Sequence, residues 1–330
     1  MTNLKEVAER AGVSASTVSR VISGSDHVNE KTRMRVLEAV SLLNYRPNEL
    51  AKGLKIGRTN TIALMVPSVE NQIFSVITRG VEDTARKNGF TVILCNTDED
   101  MEVEKEYINK LKTRWTDGMI VASMLESSDH IRKLNEEKFP VVLACRYYDD
   151  TISAVVINNY LAAYDAVSYL IKTGHKNIAI ALGRTELSIY ENRFKGYKEA
   201  LRDHGMELDP DLIIQETNGT NSFYYLTQAL LKSGKHVDAI FATSDPKAIV
   251  IMRSIHDLGL KIPQDISVMG FDNIEMSALM EPPLSTVSQP LYEIGALSAK
   301  KLIDLIKGKG PSKPTIDILK TDLIIRKSTR

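Results

Sequence analysis

From Thr61 onward the chain alternates short apolar runs with amphipathic segments, and it does so twice. Ile62–Val66, Thr91–Cys95, Met119–Ala122 and Val141–Ala144 have the length and composition of buried strands. Between them lie helical stretches: one ends at Asn88-Gly89, one runs from about Glu102 to Arg114, and one leads to Pro140. The pattern restarts near residue 154 with Ala154–Ile157, a helix from Asn159 to Thr173, the strand Asn177–Leu182 and a helix from about Tyr190 to His204. Asp238–Ala242, a helix over Pro246–Leu258, Ile266–Gly270 and a helix from Pro290 to Gly308 follow, with late strands at Ile316–Leu319 and Asp322–Ile325. Alternation of this kind predicts parallel sheets covered by helices on both faces. The restart predicts two α/β lobes. Ligands of such sheets bind beyond the carboxyl ends of the strands, here in the cleft between lobes.

The first 60 residues read differently. Leu4, Val7, Ala8 and Ala11 fall at i, i+3, i+4 and i+7, one apolar stripe on a short helix. Gly12 ends it, and Ser14 can cap a second helix by accepting a backbone N–H. In that helix Val18, Val21 and Ile22 share a face, with Ser16 and Arg20 on the other side. Asn29 caps a third helix to about Asn44, with Val36, Leu37, Val40 and Leu43 inward. Helix, glycine turn, helix is the pattern whose second helix enters a DNA major groove. Arg20 suits a guanine edge, Ser16 and Thr17 suit a base edge or a phosphate, and Ala15 has no bulk to hold it off a surface. His27 and Thr32 flank the third helix and reach the same duplex, or His27 is a solvated loop histidine. The competing reading of the whole stretch is a helical hairpin with a solvated polar face.

Charge separates the two. The whole chain sums to zero, but residues 1–60 hold ten Lys/Arg against six Asp/Glu, a head of +4 on a body of −4. That fits a molecule touching phosphates at one end only. Between head and body, Pro47 breaks the third helix and Asn48 can cap one more turn through Lys55, with Leu50 and Leu54 on one side and Gly53 weakening it. So short a helix does not hold alone in water. It forms when docked, with Leu54 wedged into a minor groove and Lys55 beside phosphates. The expected division is a helix-turn-helix domain (1–46), a hinge helix and linker (47–60), and a two-lobed ligand-binding domain (61–330). Within the last, lobe one takes about 61–157 and 288–317, and lobe two about 158–287 and 318–330.

At the strand ends expected to face the cleft stand Asp272, Asp245 and Arg146, with Arg193 in the first turns of a helix and Phe74 opening the first helix of lobe one. A carboxylate with guanidinium groups suits bidentate hydrogen bonding to a polyol or sugar. The alternative for each acid is a helix cap, which Asp245 before Pro246 favours, and Arg146 also suits a surface ion pair. Cys95 and Cys145 lie in apolar runs as reduced thiols, and no metal-ligand spacing, leader or membrane span is read, so the expectation is a cytoplasmic protein with no cofactor. No dinucleotide fingerprint, phosphate-binding loop or nucleophile elbow is found, which argues against an enzyme. A sugar-uptake binding protein would need export.

Taken in order, Val7–Ser14, Ser16–Ile22, Asn44–Asn48, Leu50–Leu54, Gly57–Ile62, Gly174–Ile178, Arg193–Tyr197, Gly270–Asn273 and Pro282–Pro290 resemble the LacI/GalR bacterial transcriptional regulators over essentially the whole chain. The resemblance implies an all-α helix-turn-helix domain joined to a two-lobed, periplasmic-binding-protein-like (Rossmann-like) effector domain. It implies a homodimer on double-stranded operator DNA, base readout by Ala15, Ser16 and Arg20, and Leu54 of each protomer in the central minor groove. It implies a small effector, a sugar or sugar phosphate, held by Phe74, Arg146, Arg193, Asn218, Ser244 and Asp272, and repression of carbohydrate-related genes. Some positions depart from the pattern: Gly53 stands where Ser is common, Asn158 where Asp is usual, and Asn218 where relatives often stack an aromatic on the sugar. Tyr147, Tyr148 or Tyr190 are the substitutes available. Gln289–Gly295 looks like catabolite control proteins, which bind a phosphorylated carrier protein, with Lys300 where that contact expects Arg. This is the alternative reading.

Overall fold

The computed structural model describes residues 3–22, 27–45, 58–113, 115–123, 129–147, 150–217 and 219–330. It divides into Met1–Asn60 and Thr61–Arg330. In the first unit α1 (Leu4–Ala11) starts at Asn3, whose side chain accepts from the Lys5 and Glu6 N–H groups, and stops at Gly12 with φ 63°. Left-handed backbone at that stop is a conformation glycine adopts without strain. The Ser14 hydroxyl accepts from Thr17 N–H at 3.2 Å and opens α2 (Ala15–Ile22). Asn29 caps α3 (Glu30–Leu42) by accepting from Thr32 N–H. Val7, Ala8, Ala11, Val18, Val21, Val36 and Ala39 form the core. One inward assignment fails: Leu37 is 47% exposed and Ala39 is buried instead. Val36 and Ala39 lie three apart on one helix face, and position 37 is rotated away from it.

The second unit holds two six-stranded sheets. The first contains β1 (Thr61–Val66), β2 (Thr91–Asn96), β3 (Gly118–Val121), β4 (Val141–Ala144) and β5 (Ala154–Ile157), ordered β2-β1-β3-β4-β5 and closed by a strand from far downstream, Ile316–Leu319. The second contains β6 (Ile178–Leu182), β7 (Ile213–Gln215), β8 (Ala239–Ala242), β9 (Ser267–Asp272) and β10 (Ser285–Ser288), ordered β7-β6-β8-β9-β10. The downstream strand is β11, and β12 (Asp322–Ile324) lies antiparallel to β10 at the second sheet's edge. All other pairings are parallel, with Met65 opposite Cys95 and Ala63 opposite Met119, for example.

The first sheet carries α4 (Gln72–Lys87), α5 (Met101–Lys112) and α6 (Asp129–Glu136). The second carries α7 (Asn159–Lys172), α8 (Ser188–Asp203), α9 (Ser222–Lys232), α10 (Asp245–Asp257) and α11 (Glu275–Leu279). The last helix, α12 (Leu291–Ile306), returns to pack on α4 and on β3, β4 and β5. The chain therefore crosses between lobes three times: near Asn158, at Gln289–Pro290 and at Lys320–Thr321. β3, β4, β6, β8 and β9 are buried along their whole length, as parallel strands covered on both faces must be. The α4–α12 contact is backbone on backbone: a Cβ on Gly80 would sit 2.2 Å from the Tyr292 carbonyl, and one on Gly295 would sit 2.1 Å from that of Ile77. Lobe two repeats the device, with Gly196 of α8 against the Tyr160 carbonyl of α7.

Candidate functional site

In the N-terminal unit, α2 buries Val18 and Val21 and exposes Ser16, Ser19 and Arg20, so the helix offers one polar face outward. Ala15 and Thr17 are half-buried at its start. The Ser14 hydroxyl bonds those of Ser16 (2.8 Å) and Thr17 (2.9 Å), which fixes the short side chains of the first turn. His27 is exposed, and Thr32 is half-buried on the first turn of α3. Leu54 and Lys55, with the hinge helix, lie outside the described residues.

In the second unit the strands end at a cavity of about 190 Å³ lined from both lobes. Lobe one supplies Asn71 and Phe74 from the start of α4 and Cys145 from the end of β4; lobe two supplies Arg193, Ser244 and Asp272. Four of the expected residues, Phe74, Arg193, Ser244 and Asp272, thus meet around one space. Arg146 is buried at the end of β4, where the wall is Cys145. Asn218 and Tyr148 lie outside the described residues. Of the aromatic substitutes, Tyr190 lines the cavity, packed against Gly183, whereas Tyr147 is 44% exposed and bonds Asp150. Asn158 caps α7 by accepting from Leu161 N–H, a task Asn performs as well as Asp.

Arg193 is held on every side. Its Nε donates to Asn159 at 2.8 Å, its guanidinium donates to the Thr243 carbonyl at 2.5 Å, and its Cζ lies 3.5 Å from the Phe271 ring centroid. The Asp272 carboxylate is 3.9 Å away. Asp272 accepts from Gln289 at 2.7 Å and from the Asp245 N–H at 3.3 Å. Burial, with the Asp245 carboxylate nearby, pushes Asp272 up to about 7 against the pull of Arg193. Asp245 does not cap a helix. Its carboxylate accepts from the Thr286 hydroxyl (2.6 Å) and Ile274 N–H (3.0 Å), tying the loop after β9 to β10. Three cavity residues, Glu99 (φ 58°), Cys145 (φ 63°) and Asp272 (φ 129°), carry positive φ without being glycine. Such strain persists only where the surroundings impose it, and it clusters at functional sites.

Sequence reading missed several groups here. Lys247, on the first turn of α10, points its ammonium at the Tyr190 and Ser244 hydroxyls, with Glu216 3.7 Å away. Glu99 of lobe one pairs with Arg184 of lobe two across the cavity wall. Lys247 leaves a faint trace in sequence, since a lysine is out of place on a first helical turn. The Glu99–Arg184 pair leaves none, being 85 residues apart. Among the described residues no cluster of three metal-ligating side chains occurs, and no helix is long and apolar enough to cross a membrane.

Comparison with known proteins agrees with both halves. Residues 3–48 match the family described as bacterial regulatory proteins, lacI family. Residues 59–326 match periplasmic binding proteins and sugar binding domain of LacI family. The chain is 36% identical to the HTH-type transcriptional regulator RegA of Clostridium saccharobutylicum, over 99% of each chain. It is 35% identical to catabolite control protein A of Priestia megaterium, over 94% of this chain and 93% of that one. The solved lac repressor dimer bound to operator and the anti-inducer ONPF superposes with a TM-score of 0.90 at 27% identity, covering 99% of each chain. An exposed polar recognition face, two parallel α/β lobes and matches to both family descriptions lead to one conclusion: the chain belongs to the LacI family and is a DNA-binding transcriptional regulator.

Proposed function

We propose that this regulator is a homodimeric repressor of carbohydrate-related genes, switched by a small polyhydroxylated ligand in the inter-lobe cavity. The observation that carries the reading is the Arg193–Asp272 pair, fixed by Asn159, Thr243 and Gln289 beside Tyr190 in a space of about 190 Å³. Paired hydrogen-bonding charges beside an aromatic face are what a sugar requires. The head, residues 1–46, reads the operator through Ala15, Ser16, Thr17 and Arg20, with His27 and Thr32 flanking. The linker, 47–60, reports the lobes' closure through Leu54 and Lys55. A ligand switches this system only if it prefers one closure state of the lobes.

The test is selection of a duplex by the full chain from random sequence, followed by titration of sugars and sugar phosphates into the complex. The reading expects a preferred site whose affinity a sugar-class ligand changes, and Asp272→Ala abolishing the change while leaving ligand-free affinity intact. No preferred site at moderate salt refutes it. A second reading, a phosphorylated carrier protein as corepressor, is favoured by the likeness to catabolite control protein A, against which stands Lys300, exposed on α12, where that contact expects Arg. It expects that protein, added alone, to tighten operator binding.

A further inference from the structure

The turn that ends β9 is one the chain does not adopt freely. Asp272 and Asn273 follow one another at φ 129° and 59°, and positive φ costs a residue that carries a Cβ. Such a turn keeps its shape only while its neighbours hold it. Part of the grip is on the backbone: Ile274 N–H donates to the Asp245 carboxylate at 3.0 Å, and Asn273 N–H donates to the Thr286 hydroxyl at 3.4 Å.

The rest is on the Asn273 side chain, which is gripped at both ends. Its amide nitrogen donates to the Ser288 hydroxyl at 3.0 Å, and its oxygen accepts from Nη2 of Arg326 at 2.7 Å. Arg326 is itself fixed in place. Its Nη1 donates to the Leu284 carbonyl at 2.7 Å and to the Ser277 hydroxyl at 3.4 Å, and its backbone N–H donates to the Ser285 hydroxyl at 2.8 Å. These acceptors are all uncharged, so the guanidinium serves here as a rigid two-armed donor rather than as half of an ion pair. Asp272 and Gln289 stand in the cavity wall, and Asn273 and Arg326 do not. Two crossings between lobes therefore meet on one turn. Gln289, at the second crossing, donates to the Asp272 carboxylate, and Arg326, just beyond the third crossing and β12, holds Asn273.

We propose that Arg326 is a positioning residue of the inter-lobe cavity: through Asn273 it keeps the turn in the form that directs the Asp272 carboxylate toward Arg193. This deepens the effector reading above and rests on it for the ligand's part. Arg326 touches no ligand itself. It acts by denying the turn a relaxed alternative.

The first measurement needs no ligand. Burial holds the Asp272 carboxyl up at about 7, in the company of Arg193 on α8, Asp245 on α10, Gln289 and the Cys145 thiol at the end of β4. In urea unfolding of the full chain from about pH 4 to about pH 8, Asp272→Asn removes the share of the pH slope that this carboxyl contributes. Arg326→Met is expected to cut that share by about half or more, because a relaxed turn lets water reach the carboxyl. Asn273→Gly, which leaves the backbone free to keep its φ and Arg326 its bond to Leu284, should do the same. Both changes together should cut it no further than either alone. A clasp with no hold on Asp272 would instead lower stability equally at every pH. An undiminished share in Asn273→Gly, or in Arg326→Met, overturns the proposal, as does the lack of any such share in the unaltered chain. Should Arg326→Met not fold, Asn273→Gly decides alone. The second measurement is calorimetry of the full chain with glucose and ribose. Whichever binds should bind about tenfold or more weakly to either variant, and equal affinity overturns the proposal. If neither sugar binds the unaltered chain, the effector reading loses its support and the slope alone decides on Arg326.

Discussion

Asp272 joins three demands in one carboxyl group: it ends β9 in a strained backbone, anchors Gln289 and the Asp245 N–H, and faces Arg193. Its pKa of about 7, set first by burial, lies above the usual carboxylate value of 3.8, so the folded chain binds a proton there that the unfolded chain releases. Its contribution to stability is complete below about pH 4 and is lost as the pH rises through about 7. In urea unfolding of the full chain, Asp272→Asn should remove this part of the slope between those values. A slope unchanged by Asp272→Asn would show that the neighbouring Asp245, also raised by burial, carries the titration instead. Sequence alone placed Asp272 and Arg193 at the cavity they line, because strand ends and first helical turns face the same side in parallel sheets. It could not identify Lys247 with Glu216, or Glu99 with Arg184, because those meetings depend on how loops from distant segments return to one place.

Elements were legible where burial alone decided them. Ile62–Val66 and Ser267–Asp272 are covered on both faces and are largely apolar runs. β10 was not, because Ser285 and Thr286 satisfy their buried hydroxyls on Thr329 and Asp245 rather than packing as hydrocarbon. β7 is three residues long, too short for alternation to register. α9 carries Phe223, Leu226 and Leu230 at helical spacing, but it follows the polar stretch 217–222, which reads as loop. The α4–α12 crossing makes a test at this scale. Gly295→Ala drives a methyl group into the Ile77 carbonyl, and two rigid helices cannot yield by the end of a flexible side chain. The expected cost is about 1–3 kcal/mol, read as a lower urea midpoint, with the operator site unchanged. An unaltered midpoint would mean that the helices separate freely.

Across the molecule, the two lobes face each other over a cavity bridged by Glu99 and Arg184. Both side chains are more than one-third exposed, so their attraction is screened and amounts to about 0–1 kcal/mol. A bridge that weak biases closure without locking it, which suits the proposed switching of the lobes by a ligand. Arg184→Ala should therefore weaken ligand affinity by no more than about fivefold, and added salt should produce much of the same loss in the unaltered chain. A far larger loss would mean that Arg184 holds the ligand directly. The threefold crossing between lobes has a consequence for biosynthesis. Each sheet takes its last strand from residues 316–324. A ribosome feeding the chain out from its amino end must deliver almost all of it before either half can close. The small helical head is finished hundreds of residues earlier, so nascent chains would carry a formed DNA reader on two unfinished lobes.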